Sequence, residues 1–543
     1  MPRNVEKIMT VSQLRFALFL LFGAALAMGQ HHQAAGSEKP VALLAGFGSW
    51  HHPIATSNPE AQKFFDQGLT MVYSFNKHES LRAFSRASEL DPRAAMNYWG
   101  MAMALGPYIN MDGDPDVQIK ESCAAVEKGL KLASAGSADR AWLEAAQARC
   151  PDYADPSKYI RAMHELAARL PDDPDAQTLY AEALMIPVRW HWYGVDGKPG
   201  PGVAEAERLL EGVMRRYPQH PGANHLYIHA VESSPTPERA VPSAQRLMGI
   251  VPAAGHMVHM PGHIWLAIGD FNNAIAVNER AVQVDEKYIA QEGIMGGYGM
   301  YYLHNMQFLV YGHGMQGHAA EARKAAQQMS AAIKGHAGAM PEMAEVMNTW
   351  LILNELRANL WDDVLRAPQP QAPPSLAVWH LVRGIALASK GQTSEARKEQ
   401  AEFERVRKTL DRKMQWDTNH FGDVMDLASV VLDARLDSSP AGAVLKWKRA
   451  VALQDGLVYD EPPAWYYPVR ESLGGALLAS GDAPGAETVF REGLRRSPNN
   501  GRMLFGLLES LKAQKKTDAA KWVQREFDAA WDGADIQLRV KDL

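Results

Sequence analysis

The chain has 543 residues, long enough for several domains or for one extended array of small repeats. Its formal net charge of −6 and pI near 6.4 leave no basic footprint, which excludes nucleic acid as a charge-recruited partner. Ala, Leu, Met, Glu and Arg abound and no run alternates apolar with polar residues, so the expected class is all-α.

In chain order, Arg3, Lys7 and Arg15 precede an apolar core from Phe16 to Met28, with Ala25-Leu26-Ala27 or Ala27-Met28-Gly29 as small-residue cleavage patterns. Residues 1–28 therefore read as a secretory signal peptide, and the mature protein is expected to be periplasmic or secreted. The apolar run falls short of the roughly 20 residues a bilayer span needs, so no stable membrane span is expected. Residues 29–58, with His31 and His32, read as a flexible lead-in. Asn58 and Pro59 then open a helix as cap and first-turn residue. AQKFFDQGLTMVYSFN and HESLRAFSRASELDP follow as an antiparallel helix pair. Gly68, Tyr73, Ala83, Phe84, Ala87 and Pro92 fall where a 34-residue helix-pair repeat places small, aromatic and helix-breaking residues.

Asp112, Asp114 and Asp116 lack the glycine and terminal glutamate of a calcium loop and read as a capped surface turn. Cys123 and Cys150 are the only cysteines; their spacing fits a disulfide or two buried thiols equally well. Aligning DAQTLYAEAL with GANHLYIHAV sets Glu182 on His229, which predicts a carboxylate on the inner face one repeat earlier. APQPQAPPS opens a proline-rich linker at 367–376, dividing an N-terminal array at 59–366 from a C-terminal one at 377–543. In the latter, Ala486 and Ala520 stand in matching turns, 520 − 486 = 34 apart.

The stretch from Asn224 to His263 holds five of the nineteen histidines. His225 and His229 recur one repeat later as His259 and His263, since 259 − 225 = 34 and 263 − 229 = 34. Residues four apart share a helix face, and equivalent positions of stacked repeats lie side by side. The two pairs are therefore expected to form one metal cage, with Glu232, His256 and His304 as supporting or alternate ligands. His304 enters because the turn glycines Gly269 and Gly317 are 317 − 269 = 48 apart, an offset that carries His256 onto His304. Imidazole donors suit copper, zinc or iron, and the interleaved Met257 and Met260 lean towards copper. The plainer account makes these rings hydrogen-bond one another, the backbone or a peptide.

Glu461, Trp465, Tyr466, Tyr467, Arg470 and Glu471 form a second cluster, an aromatic wall with an arginine suited to a carboxylate ligand. Its plainer reading is the filling of a repeat junction. Asn76, His78 and Glu79 are a weaker set. HExxH, GxSxG, P-loop and CxxC motifs are missing.

The motifs HHPIATSNPEAQKFFDQGL, LDPRAAMNYWG, HPGANHLYIHAVE, AGHMVHMPGHI and EPPAWYYPVRESLGGALL resemble those of a group of secreted bacterial tetratricopeptide-repeat (TPR) proteins. FNKHES departs from the group's FNHEEA, which displaces His78 by one position. The resemblance implies export and an α-solenoid, a right-handed superhelix of antiparallel helix pairs. Its ends and middle all carry polar-aromatic motifs, which a strongly curved solenoid would gather into one enclosed pocket. Two functions follow. One is a metalloprotein, extending to a metalloenzyme acting on a small substrate; the other is a non-catalytic scaffold binding a peptide or protein in its concave groove.

Overall fold

The computed structural model describes residues 40–110, 117–293, 296–334 and 341–543. The expected signal peptide and the Asp112, Asp114 and Asp116 turn lie outside the described residues. The described chain is a succession of antiparallel helix pairs with one two-stranded ribbon, Gln415–Trp416 against Asn419–His420. It is the all-α, TPR-like solenoid expected.

Local chemistry sets the helices. Asn58 accepts the Glu60 and Ala61 amides with Pro59 at the first position, starting Pro59–Tyr73. Asn76 accepts the Glu79 amide and starts Lys77–Leu90. Such caps each contribute about 1 kcal/mol. The first pair then closes on Phe84, whose ring fills the space left by Gly68 and Gly100; a Cβ there would stand 2.8 and 2.3 Å from it.

Inner and outer helices differ as a two-layered solenoid requires. Val203–Arg216 buries one stripe, including Ala206, Leu210 and Val213, and leaves arginines outside. Pro221–Glu232, stacked inside it, is buried at every position. A helix covered on all sides has no polar face, so any polar residue it carries must find its partner within the protein.

The structure bears on three points raised by the sequence. Within the expected lead-in, residues from Gly46 onward are held to the array: Gly46 accepts the Ala253 amide at 3.1 Å, and the Trp50 indole donates to Asp175 at 3.0 Å. The proline-rich stretch divides no bodies. Pro373 and Pro374 open the helix Pro373–Ser389, one hydrophobic cluster runs from Val346 to Leu543 across it, and Leu43–Leu543 is a single compact unit. Cys123 and Cys150 are joined in a disulfide, resolving the pairing left open above.

Both ends of the array curl onto its middle. Tyr73 packs at the start of Pro221–Glu232, where a Cβ on Gly222 would stand 2.3 Å from its ring. From the other end, Asn499 donates to the Gly269 carbonyl at 3.2 Å, and Asp535 accepts the Ala319 and Ala320 amides. The central repeats are thereby enclosed. No helix among the described residues is long and apolar enough to cross a membrane.

Candidate metal centre

Three inner elements deliver the histidines. Pro221–Glu232 starts from an unusual cap, the His220 ring, whose Nδ1 accepts the Ala223 amide at 3.0 Å. Four residues apart on that helix, His225 and His229 face the same way. The next element is interrupted at Pro261, which has no N–H to donate, so it runs as Gly255–His259 and Pro261–Ala267. His259 and His263 still meet across the break, Nε2 to Nε2 at 2.8 Å. His304 comes from Gly299–Gln316.

The expected cage of His225, His229, His259 and His263 is divided in two. The ligand atoms of His225, His229 and His256 lie within 4.8 Å of one another, and so do those of His259, His263 and His304. His256 and His304, placed as supporting residues from sequence, each complete a triangle. Four neighbours on two adjacent faces do not share one centre, because each pair meets the histidine of the element stacked beyond it. Ring centroids in the first triangle are 4.9 Å (His225–His229), 4.9 Å (His225–His256) and 6.3 Å (His229–His256) apart. The matching separations in the second are 4.7, 4.9 and 5.8 Å.

The surroundings fix which nitrogen faces inward. His225 Nδ1 is 2.6 Å from the Tyr73 carbonyl and His259 Nδ1 is 2.6 Å from Asn278 Oδ1. Only a donating Nδ1–H suits those oxygens, which leaves each Nε2 with a bare lone pair. His304 Nδ1 meets Gln307 Oε1 at 3.3 Å and His229 Nδ1 meets Glu232 Oε1 at 3.1 Å. His263 Nδ1 stands 2.6 Å from carboxylate oxygens of both Glu232 and Glu461, close ionic contacts in which the N–H is aligned for neither. His229 Nε2 and His256 Nδ1 are buried without a hydrogen-bond partner. An imidazole held by an oxygen at Nδ1 and presented at Nε2 is the usual arrangement of a metal-ligating histidine.

Electrostatics agree with that geometry. Burial, reinforced by neighbouring imidazoles, holds His225, His256 and His259 well below the usual histidine range, and burial takes His304 down to about 3. These rings are neutral, the form that ligates. Burial acts on His263 in the same sense, but the Glu232 and Glu461 carboxylates outweigh it and hold the ring up at about 10. Burial would raise Glu232; the His263 and His229 charges instead hold it down at about 2. Glu461 is pushed up to about 7 by burial.

An aromatic shell completes the site. Phe75 has φ 57°, a left-handed backbone that phenylalanine rarely adopts. Its ring lies 4.5 Å from His225 and 5.2 Å from His256. Phe308 lies 4.6 Å from His259 and 4.9 Å from His263. Asn278, the Tyr73 carbonyl, Phe75 and Phe308 carry no metal-site signature in sequence. Met257 and Met260 are buried in the hydrophobic cluster.

The remaining sequence candidates are placed elsewhere, Glu461 excepted. Glu182 is buried beside Arg149 and Lys77 and accepts the Ile109 amide, an internal charge cluster with its pKa raised by burial. Arg470 clamps Asp455 at 2.6 and 2.7 Å and reaches Glu492 at 2.8 Å. Glu471 takes Arg357 at 2.8 and 3.0 Å and Asn500 at 2.8 Å. Trp465 and Tyr466 pack on each other within the C-terminal core. The contacts of these four hold repeats together, each charge among them matched by a partner on another helix. Asn76 caps its helix and Glu79 pairs with Arg82 at 2.6 Å. His52, Asp173 and Asp175 form a further group of potential donors. Asp175, however, already accepts from Tyr73, Trp50, His52 and His220, and through Tyr73 it anchors the carbonyl that holds His225.

No protein-family model and no curated protein matches the chain. Among solved structures it is similar to yeast Tom70, at 14% identity over 86% of this chain and 96% of that one, TM-score 0.32. It is also similar to the human IFIT1 dimer with m7Gppp-AAAA, at 11% identity over 88% and 92%, TM-score 0.34. The APC/C hetero-tetramer Cut9–Hcn1 matches at 12% identity over 95% and 80%, TM-score 0.30. Scores this low leave the function to the chain's own residues.

Proposed function

We propose that the chain is a metalloprotein whose buried histidines hold a transition metal, with copper, zinc and iron as the candidates suited to imidazole. One observation carries this reading. The Nδ1 nitrogens of His225, His229, His259, His263 and His304 all meet oxygens, so their Nε2 nitrogens remain to face one another in a dehydrated interior. His259 Nε2 and His263 Nε2 meet at 2.8 Å, where the protonated His263 donates to the His259 lone pair; a metal ion would take the place of that proton. Donors about 2.1 Å from one ion lie roughly 3 Å apart when they subtend a right angle.

The scaffold reading draws no support from these residues. An extended peptide binds side chains it can touch, whereas His225, His229, His256 and His259 are at most 2% exposed. Three protein nitrogens leave an ion with an open position, which is the pattern of catalytic and not of structural sites. A small molecule bound at that position is the substrate class this reading implies. The disulfide supports placing the protein in an oxidising, exported compartment.

The test is metal content. Protein from its native compartment, or chelated protein reloaded with Cu(II) or Zn(II), is analysed for metal beside His229→Ala and His263→Ala, with helical circular dichroism as the fold control. Retention in the parent and loss in both folded variants is expected. Full retention in both variants, or no uptake by the parent, ends the metal reading.

A further inference from the structure

Resting on that reading, we propose that the centre is dinuclear, with one ion in each histidine triangle and Glu232 as the carboxylate that orients one ring of each. The first argument is the repeat itself. The offsets that carry His225 onto His259 and His229 onto His263 are both 34, and 304 − 256 = 48 matches the spacing of the turns at Gly269 and Gly317. Each corner of one triangle thus has a counterpart in the other. The centroid triangles agree side by side: 4.9 against 4.7 Å, 4.9 against 4.9 Å, and 6.3 against 5.8 Å. Two sites of the same shape, one repeat apart, are what a duplicated ligand set produces.

The second argument excludes a single shared ion. Six nitrogens about 2.1 Å from one octahedral centre would all lie within about 4.2 Å of one another. Among the described residues the all-imidazole groups whose ligand atoms meet a mutual 4.8 Å limit are these two trios, and no larger set combines them. The triangles nevertheless adjoin, with His229 and His263 centroids 5.8 Å apart and His256 and His259 centroids 5.9 Å apart.

The third argument is the support each triangle receives. The leading histidine of each is held at Nδ1 by a neutral oxygen at 2.6 Å, the Tyr73 carbonyl for His225 and Asn278 for His259. The histidine four residues later meets Glu232 in both cases, His229 at 3.1 Å and His263 at 2.6 Å. One carboxylate with an oxygen on each side is a coupling element, and a single-ion site has no need of it. Donors that are all imidazole nitrogen favour copper or zinc over magnesium, calcium or manganese.

Native mass spectrometry of the whole chain loaded with Zn(II), after removal of excess metal, reads the stoichiometry. Two ions per chain are expected in the parent, one in His256→Ala, one in His304→Ala and none in the double variant. Where an alanine variant loses its helical circular dichroism, glutamine at the same position replaces it. Loaded with Cu(II), the parent should give the electron paramagnetic resonance of a coupled pair, and each single variant that of an isolated ion. Glu232→Gln should weaken both sites together, by about 10- to 100-fold in affinity. One ion in the saturated parent, or two in either single variant, overturns the pair while leaving the metal reading intact. No uptake in the parent overturns both. Weakening of one site alone overturns the shared role of Glu232.

Discussion

Two inner helices of this array begin alike and are filled differently. Gly501–Ala513 starts from the Asn500 side chain, which accepts the Met503 amide at 3.1 Å; Pro221–Glu232 starts from His220, which accepts the Ala223 amide at 3.0 Å. The C-terminal helix buries Met503, Leu504, Leu507, Leu508 and Leu511. The central one buries His225, His229 and Glu232. Apolar filling is stable unaided, at roughly 1.5–3 kcal/mol per large side chain removed from water. A buried polar atom without a partner costs about 1–3 kcal/mol, and His229 Nε2 is one. The repeat scaffold thus carries two kinds of interior, one that stabilises the fold and one that draws on it. The second kind is where function belongs.

The largest effect expected from breaking this contrast lies in the apolar half. Phe490 is fully buried, and its ring occupies the space above Gly474 and Gly506, where a Cβ would stand 2.3 and 2.1 Å from it. Phe490→Ala should cost about 3–5 kcal/mol in urea unfolding. Metal bound per folded chain should not change. A parallel fall in metal content would show that the two interiors are not independent.

Next in size is the covalent tie of the N-terminal repeats. Cys123 and Cys150 are 27 residues apart, so opening the bridge should lower stability by about 3–4 kcal/mol through the unfolded chain. Urea melts with and without reductant measure it. Alkylation of denatured, unreduced protein should label no thiol, and two labelled cysteines would refute the bridge.

The histidine interior should respond to metal where the apolar one does not. At a free metal concentration of 100 times Kd, the parent should gain about 2.7 kcal/mol for one ion. His229→Ala, which breaks one triangle and leaves the other, should lose that one ion's share of the gain. Under chelation the variant should lie within about 1 kcal/mol of the parent, because losing an unpartnered buried nitrogen offsets the cavity left behind. Thermal melts with and without Zn(II) decide it, and a variant that gains as much as the parent would remove His229 from the ligand set.

How far the molecule was legible in its sequence follows from the range of the signals. Caps and small-residue contacts act within one repeat, so Asn58, Gly68 and Phe84 announced the helix pair that forms. The histidine recurrence was equally visible, because a fixed repeat offset turns spacing along the chain into adjacency in space. The partition of those histidines was hidden, since it depends on how neighbouring elements rotate. Glu461 belongs at His263 only because the array curls back across almost two hundred residues, and curvature is a sum of small rotations that no local pattern records. The Tyr73 carbonyl that holds His225 is a backbone group and has no residue type to betray it. Arg470 and Glu471 look like a ligand site by composition, yet the same chemistry clamps helices when Asp455 and Arg357 stand opposite.

The smallest effect tests the finest part of the contrast, a side chain that touches no metal. Asn278 is fully buried; its Oδ1 accepts from His259 Nδ1 at 2.6 Å and its amide donates to the Ala274 carbonyl at 2.7 Å. Gly262 makes room for it, since a Cβ there would stand 2.6 Å from Asn278 Nδ2. With the acceptor removed, His259 is no longer held in the tautomer that presents Nε2, and each binding event must set the ring first. Asn278→Ala should therefore weaken Zn(II) by about 10- to 100-fold, roughly 1.4–2.8 kcal/mol, without changing the number of ions at saturation. Asn278→Asp keeps the acceptor and should hold affinity at the parent's level or above it. Gly262→Ala pushes the same amide aside from the opposite direction and should reproduce the alanine result with Asn278 intact. Calorimetric titration of the three variants checks this, and an Asn278→Ala affinity equal to the parent's would reduce Asn278 to packing.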